Sequence, residues 1–227
     1  MKELLTQIMP NVVNFFPDMM KALGETMQMV TVATIISSLL GIPLGILLLV
    51  TSPKHILENK VIYSIGSKIV NGIRSVPFVI LIAAIVPFTR WIVGTTIGIK
   101  GAYVPLVVGV TPFIARQVEV ALYQIDKGVI EAARAMGLNP FQIITEVIVP
   151  EGLAGIVHAI TLSVISLISF SAMAGTVGGG GLGSFAIQYG YQYFKTDIMV
   201  MTVILLLVIV SVVQAIGDAI ARRLTHS

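Results

Sequence analysis

No cysteine occurs in the 227 residues, which excludes disulfides, thiolate metal ligands and a cysteine nucleophile. Charge is scarce too: Asp, Glu, Lys and Arg together make up 11% of the chain against 56% hydrophobic residues. That balance is far from a soluble globular domain and suits a bilayer. His55, His158 and His226 lie too far apart to suggest a local metal site. The pattern G-x-x-x-x-G-K-[ST] is missing, so a nucleotide that drives this protein must be hydrolysed on another chain. Gly178, Gly180 and Gly183 formally satisfy G-x-G-x-x-G. They follow an apolar run rather than a strand, with no acidic ribose partner at the expected distance, so they read as a helix break and not a nucleotide site. Such a break is either a flexible joint or the border of a permeation path, because irregular backbone at membrane depth is tolerated mainly beside protein or a water-filled cavity. Paired intramembrane carboxylates and a serine–histidine couple are also missing. No catalytic, cofactor-binding or metal residue is therefore assigned. The start of the chain lacks the basic-then-apolar order and cleavage site of a signal peptide.

Long uncharged runs dominate what is present. Met27 to Val50 is 24 uncharged residues, above the roughly 20 that cross a hydrocarbon core. Within it Gly41-x-x-x-Gly45 offers a flat face for close helix approach, although Pro43 equally suggests a kink. Residues 1–25 are set apart as an extracytoplasmic or interfacial segment, with Leu4, Ile8, Val12 and Phe15 as a possible apolar face interrupted by Pro10. From Lys54 to Arg74 an amphipathic lead-in repeats Val61, Ile65, Ile69 and Ile73 at every fourth position. Val76 to Phe88 is too short to cross alone, so the second span borrows residues from before Arg74, whose side chain is expected to snorkel to the headgroups. Arg90 and Trp91 mark the opposite interface. Gly101 to Leu122 predicts a third, bent span with Pro105 and Pro112. No charge appears between Gly152 and Phe194, a run too long for one helix. The fourth span ends near Val177, Ser184 to Tyr193 forms a re-entrant or interfacial piece with Tyr189, Tyr191 and Tyr193 at the headgroups, and Ile198 to Gly217 is the fifth span. His158 is expected to serve as an interhelical hydrogen-bond partner rather than a proton relay, since no carboxylate shares its helix.

Five spans place the two termini on opposite sides. Nine basic residues, at 54, 60, 68, 74, 116, 127, 134, 222 and 223, fall on one side, and five, at 2, 21, 90, 100 and 195, on the other. The basic-rich side is the cytoplasm, which puts the amino terminus outside. The transmembrane domain then covers 26–221, with a cytoplasmic loop at 124–151 and a short tail at 222–227.

That loop is the one mixed polar and apolar stretch between the apolar runs. Val129, Ile130, Ala133 and Met136 fall on one helical face, with Lys127, Glu131 and Arg134 pointing elsewhere. Gly137 suits the left-handed residue that ends a helix, and Asn139-Pro140 offers a cap and first residue for a second helix. Val149 precedes a proline, so that helix is expected to stop near Ile148. On the residues alone, the loop is either a compact knob for a partner or an ordinary connector in a passive channel or membrane scaffold.

Glu131, Ala132, Ala133, Gly137, Val147, Val149 and Pro150 resemble E-A-A-x3-G-x9-I-x-L-P, the cytoplasmic loop motif of type I ABC importer permeases. Val147 and Val149 replace its isoleucine and leucine. Arg74-Ser-Val-Pro-Phe78, Pro87-Phe-Thr-Arg90, Val93 to Gly98, Ser171-Ala-Met-Ala-Gly175, Val177 to Gly183 and Tyr189-Gly-Tyr191 resemble blocks of the methionine importer permeases. Phe170 stands where that subfamily often has tyrosine. The resemblance implies an all-α integral membrane protein with five transmembrane helices and a coupling-helix loop. It also implies a prokaryotic plasma-membrane homodimer with two ATP-binding cassette ATPase subunits and an extracytoplasmic substrate-binding protein. ATP belongs to the partner subunit, nucleic acid is not a partner, and the cargo is methionine or, failing that, another small substrate. Glu131, Ala132, Ala133, Gly137 and Pro150 are the expected ATPase-coupling residues. Phe170, Ser171 and Met173 are the expected translocation-path residues, polarizable and small groups in a charge-free helix being suited to an apolar side chain.

Overall fold

The computed structural model describes residues 9–225. Leu4 and Ile8 of the proposed N-terminal face, and His226 and Ser227, lie outside them. All regular structure among the described residues is helical. Four helices are long and apolar enough to cross a membrane: Phe16–Thr51, Gly98–Leu122, Leu153–Thr176 and Thr196–Leu224. Lys60–Ser75 and Phe78–Ala84 pass the same test only as a bent pair, either a broken span or a re-entrant loop. The helix expected to borrow residues across Arg74 therefore shows a break. Its cause is local: Val76 is extended, at φ −82° and ψ 125°, the geometry that a following proline favours.

Several boundaries move outward from the sequence expectation. The first span begins at Phe16 rather than near Thr26 and runs unbroken through Pro43 for 36 residues. The last begins at Thr196 and continues to Thr225, past Gly217 and through Arg222 and Arg223. Charged residues end an apolar run without ending a helix, because the helix can continue into water or headgroups on backbone bonds of its own.

The chain forms two compact units. The first comprises Met1–Ile35, Pro77–Val108 and Val164–Val213. Its core gathers Val12, Met19, Ala22, Leu182, Phe185 and Ile198. A short helix, Pro10–Asn14, is tied to the start of the last span by Asn11, whose backbone N–H and Nδ2 donate to the two Asp197 oxygens at 2.9 and 3.1 Å. The Lys195 ammonium sits 3.6 Å from the Phe15 ring centroid, a cation–π contact. Of the three tyrosines expected at the headgroups, Tyr189 is half-buried. It packs between Phe15 and Phe185 at 4.9 and 5.0 Å, while Tyr191 and Tyr193 remain exposed.

The glycine break in this unit is an anchored turn. Gly178, Gly180 and Gly181 have positive φ, conformations that glycine adopts without steric cost. Glu25 Oε2 accepts the Gly181 N–H and Thr26 Oγ1 accepts the Leu182 N–H, both at 2.8 Å. These carboxylate and hydroxyl groups cap the helix that runs from Gly181 to Gln192.

The second unit comprises Ile36–Val76, Gly109–Ser163 and Gln214–Ser227. Gly41 and Gly45 are used as a close-approach face. A Cβ at Gly41 would lie 2.8 Å from Ile114 Cβ, and one at Gly45 2.5 Å from the Ala115 carbonyl oxygen, so the first and third spans touch there backbone to backbone. Arg116 donates to Glu119 at 2.6 Å and reaches Ser67 Oγ and Asn71 Oδ1 at 3.3 Å. A charge inside a span is thereby paired and hydrogen-bonded, as low dielectric requires. The exposed Arg74 guanidinium lies 5.7 Å from the Phe113 ring centroid. His158 Nδ1 stands 3.9 Å from Asp218 Oδ1; the partner carboxylate comes from another helix, which is why the histidine's own helix did not reveal it.

Candidate functional site

The segment 124–151 is assembled by capping chemistry that can be followed residue by residue. Asp126 accepts the Gly128 N–H at 2.8 Å and opens the helix Lys127–Ala135. At its end the Gly137 N–H bonds the Arg134 carbonyl at 3.0 Å and the Leu138 N–H bonds the Ala133 carbonyl at 3.2 Å. Gly137 itself has φ +84°. This is the paired arrangement of a Schellman terminator, which satisfies the last carbonyls and reverses the chain. Asn139 and Gln142 then exchange side-chain and backbone bonds, both at 3.0 Å, a capping box with Pro140 at the first helical position.

The second helix does not stop at Ile148 as expected. It passes through a π-helical stretch, Ile143–Ile148, into Val149–Glu151 and is capped at Gly152. Val149 is helical, at φ −69° and ψ −47°, despite preceding Pro150. The wide turn explains the exception: the Val149 N–H bonds back five residues to Ile144, and that widening makes room for a ring that would clash in a tighter helix.

Packing divides the expected docking residues. The helix Lys127–Ala135 packs on the π-helical stretch, and Ile130, Ala133, Ile143 and Ile148 are buried. Ala133, at 1% exposure, is thus a spacer inside the knob and not part of its outer face. Ala132, Glu131, Gly137 and Pro150 are exposed. Val129 and Met136, expected on the buried stripe, are also outside, with Met136 at 73%. Phe141, also 73% exposed, joins them, and sequence reasoning had not singled it out. The signal was present in the capping box, which fixes Phe141 one residue after Pro140 on the solvent side of the first turn. Glu131 lines a small cavity with Lys54, His55, Lys127 and Arg134.

The expected path residues separate as well. Phe170 stacks on Phe78, with ring centroids 4.4 Å apart and planes 9° from parallel. Ser171 is 2% exposed and donates to the Ile168 carbonyl at 2.7 Å. Met173 alone of the three lines an apolar cavity of about 530 Å³, with Ala172, Thr176, Gly183 and Met199 among its walls. Helical geometry accounts for this, since successive residues turn by 100° and neighbours in sequence do not share a face.

Comparison with known proteins places these features in a family. Residues 41–226 match the binding-protein-dependent transport system inner membrane component. A probable D-methionine transport system permease protein MetI of Vibrio cholerae is 46% identical over 208 residues, covering 92% of each chain. The D-methionine permease MetI of Escherichia coli is 48% identical over 157 residues, covering 69% of this chain and 72% of that one. Among solved structures, an inward-facing MetNI methionine ABC transporter in its native crystal form aligns with TM-score 0.89 at 46% identity, over 91% of this chain and 95% of that one. An amino-acid ABC transporter shares the fold, with TM-score 0.78 at 19% identity, over 95% and 98% of the two chains. With its anchored glycine turn and its capped segment at 124–151, the chain belongs to the family of binding-protein-dependent transport system inner membrane components, as a membrane-spanning ABC importer permease.

Proposed function

We propose that this permease carries methionine, as a homodimer driven by two ATP-binding cassette ATPase subunits and supplied by an extracytoplasmic binding protein. The reading is carried by the near-complete alignment to a methionine transporter, together with a segment whose exposed residues include Glu131 and Ala132 of the loop motif. ATP is bound and hydrolysed on the partner chains. Closing of the ATPase dimer moves the docked knobs as rigid bodies, and the helices open outward to admit substrate. Glu131, Ala132, Gly137 and Pro150 form or shape the contact surface, and Ala133 sets the spacing beneath it. Phe170, Ser171 and Met173 belong to the helix that borders the path, with Met173 in contact with cargo.

Reconstitution with the ATPase and binding protein encoded beside it, followed by uptake of labelled amino acids, tests the proposal. ATP-dependent accumulation of D- or L-methionine is expected, and flux that needs no ATP would overturn it. In the same assay Met173→Ala should change uptake or substrate-stimulated hydrolysis. Wild-type values for both would remove Met173 from the path.

The amino terminus lies outside and the knob in the cytoplasm, a reading that rests on the excess of basic residues beside the knob. Because the chain has no cysteine, single cysteines at positions 54, 95 and 227 need no background removal. An impermeant reagent added outside should label Thr95→Cys and spare Lys54→Cys and Ser227→Cys. The opposite pattern reverses the topology.

A further inference from the structure

The first cytoplasmic turn and the coupling helix gather three exposed cations around one small cavity. Lys54, three residues beyond the end of the first span at Thr51, has φ +64°, a left-handed conformation that is uncommon for a side chain with a Cβ. Its backbone N–H is held by Glu58 Oε2 at 3.0 Å, so the strain is fixed in place. Next to it, His55 Nδ1 is buried and has no hydrogen-bond partner. Lys127 and Arg134 of the coupling helix line the same cavity, with Glu131 as the one carboxylate. None of Lys54, Lys127 and Arg134 forms an ion pair among the described residues. Three cations thus face one carboxylate and an orphaned imidazole nitrogen.

We propose that this cavity binds a phosphate group, presented by an anionic lipid headgroup or as free phosphate. The cavity of about 60 Å³ is several times the space one water needs, enough to admit a tetrahedral oxyanion, and it opens to the surface so that the rest of a larger molecule can remain outside. Its chemistry matches: ammonium and guanidinium groups supply charge-assisted bonds to phosphate oxygens, and His55 lines the same cavity with a ring nitrogen that has no partner within the chain. His55 is held below the ordinary imidazole range by burial first and then by Lys127 and Arg134; an anion between these groups relieves the repulsion. Position is compatible with either source, since the pocket follows the end of the first span at Thr51 on the basic-rich side, where juxtamembrane cations attract anionic lipid. Glu131 would then be set beside a neutralised cluster, and anion occupancy would stiffen the joint between the first span and the knob. The inference does not rest on which substrate the permease carries.

The test uses the full-length permease–ATPase complex in detergent, probed with dioctanoyl phosphatidylglycerol, dioctanoylglycerol and inorganic phosphate by native mass spectrometry and thermal shift. Lys54→Gln combined with Arg134→Gln should weaken phosphatidylglycerol binding by about tenfold or more, while Lys54→Arg retains it. Dioctanoylglycerol, which lacks the phosphate, should bind equally to all forms. Dimer mass and ATPase copurification confirm that the variants fold. Variant-sensitive binding of inorganic phosphate without binding of the lipid would assign the site to free phosphate. Equal binding of both probes by wild type and double variant overturns the proposal and leaves the cations to an acidic side chain of the ATPase.

Discussion

Ala132→Trp is expected to abolish uptake and to reduce capture of the ATPase by at least about tenfold, equivalent to ~1.4 kcal/mol of binding, while the permease inserts and dimerises as before. The neighbouring change, Ala133→Leu, should do something different. Ala132 is exposed on the knob, so an indole there can project away from the permease and obstruct a partner that approaches closely. Ala133 is 1% exposed, beneath the helix Lys127–Ala135, so extra methylenes there overpack the knob itself, at about 1–3 kcal/mol. That loss should appear as faster proteolysis of residues 124–151 in the permease alone, before any ATPase is added. Copurification, uptake and limited proteolysis measured on the same preparations separate the two roles. Full ATPase capture and uptake by Ala132→Trp would show that this face is not docked.

These adjacent alanines also show where sequence reading stops. The motif made them equivalent small residues. Periodicity set Ala133 with Ile130 on the apolar face, but the residues that cover that face, Ile143 and Ile148, have no local signature. The same limit applies to Phe170, Ser171 and Met173, where one apolar run concealed three different environments. Elements with local causes were legible: the cap at Asn139, the left-handed glycine at 137, the glycine turn at 178–181 and the Gly41/Gly45 face all follow from backbone rules acting over a few residues. Elements with distant causes were not. Asp218 beside His158, Asp197 beneath Asn11 and Glu25 on the glycine turn are partners that lie from 60 to more than 150 residues apart in the chain. Pro150 shows a local rule overridden, since the π-helical stretch before it relieves the clash on which the rule depends.

Gly137→Ala and Gly137→Leu should behave alike, and Gly137→Asn should be milder than both. Gly137 has φ +84°, and a Cβ built there would find no atom within 4 Å. An added Cβ thus meets open space within this chain. The penalty is therefore conformational, about 1–2 kcal/mol for a residue with a Cβ in the left-handed region, and asparagine tolerates that region better than alanine or leucine. If the terminator fails, the Leu138-to-Ala133 and Gly137-to-Arg134 bonds are lost together, and the second helix no longer returns to cover Ile130. The knob should then populate a disordered form by roughly five- to thirty-fold more, lowering ATPase capture and uptake in proportion, with the helix bundle still inserted and dimeric. The ranking is itself diagnostic. Because Gly137 is exposed and a Cβ there meets no atom of the permease, a leucine far more damaging than alanine would point to a contact of this glycine with the ATPase. Alanine and leucine together, with asparagine partly restoring transport, would confine Gly137 to shaping the knob. Wild-type docking and uptake in all three would reduce the loop to a connector and remove the main residue-level support for force transmission through it.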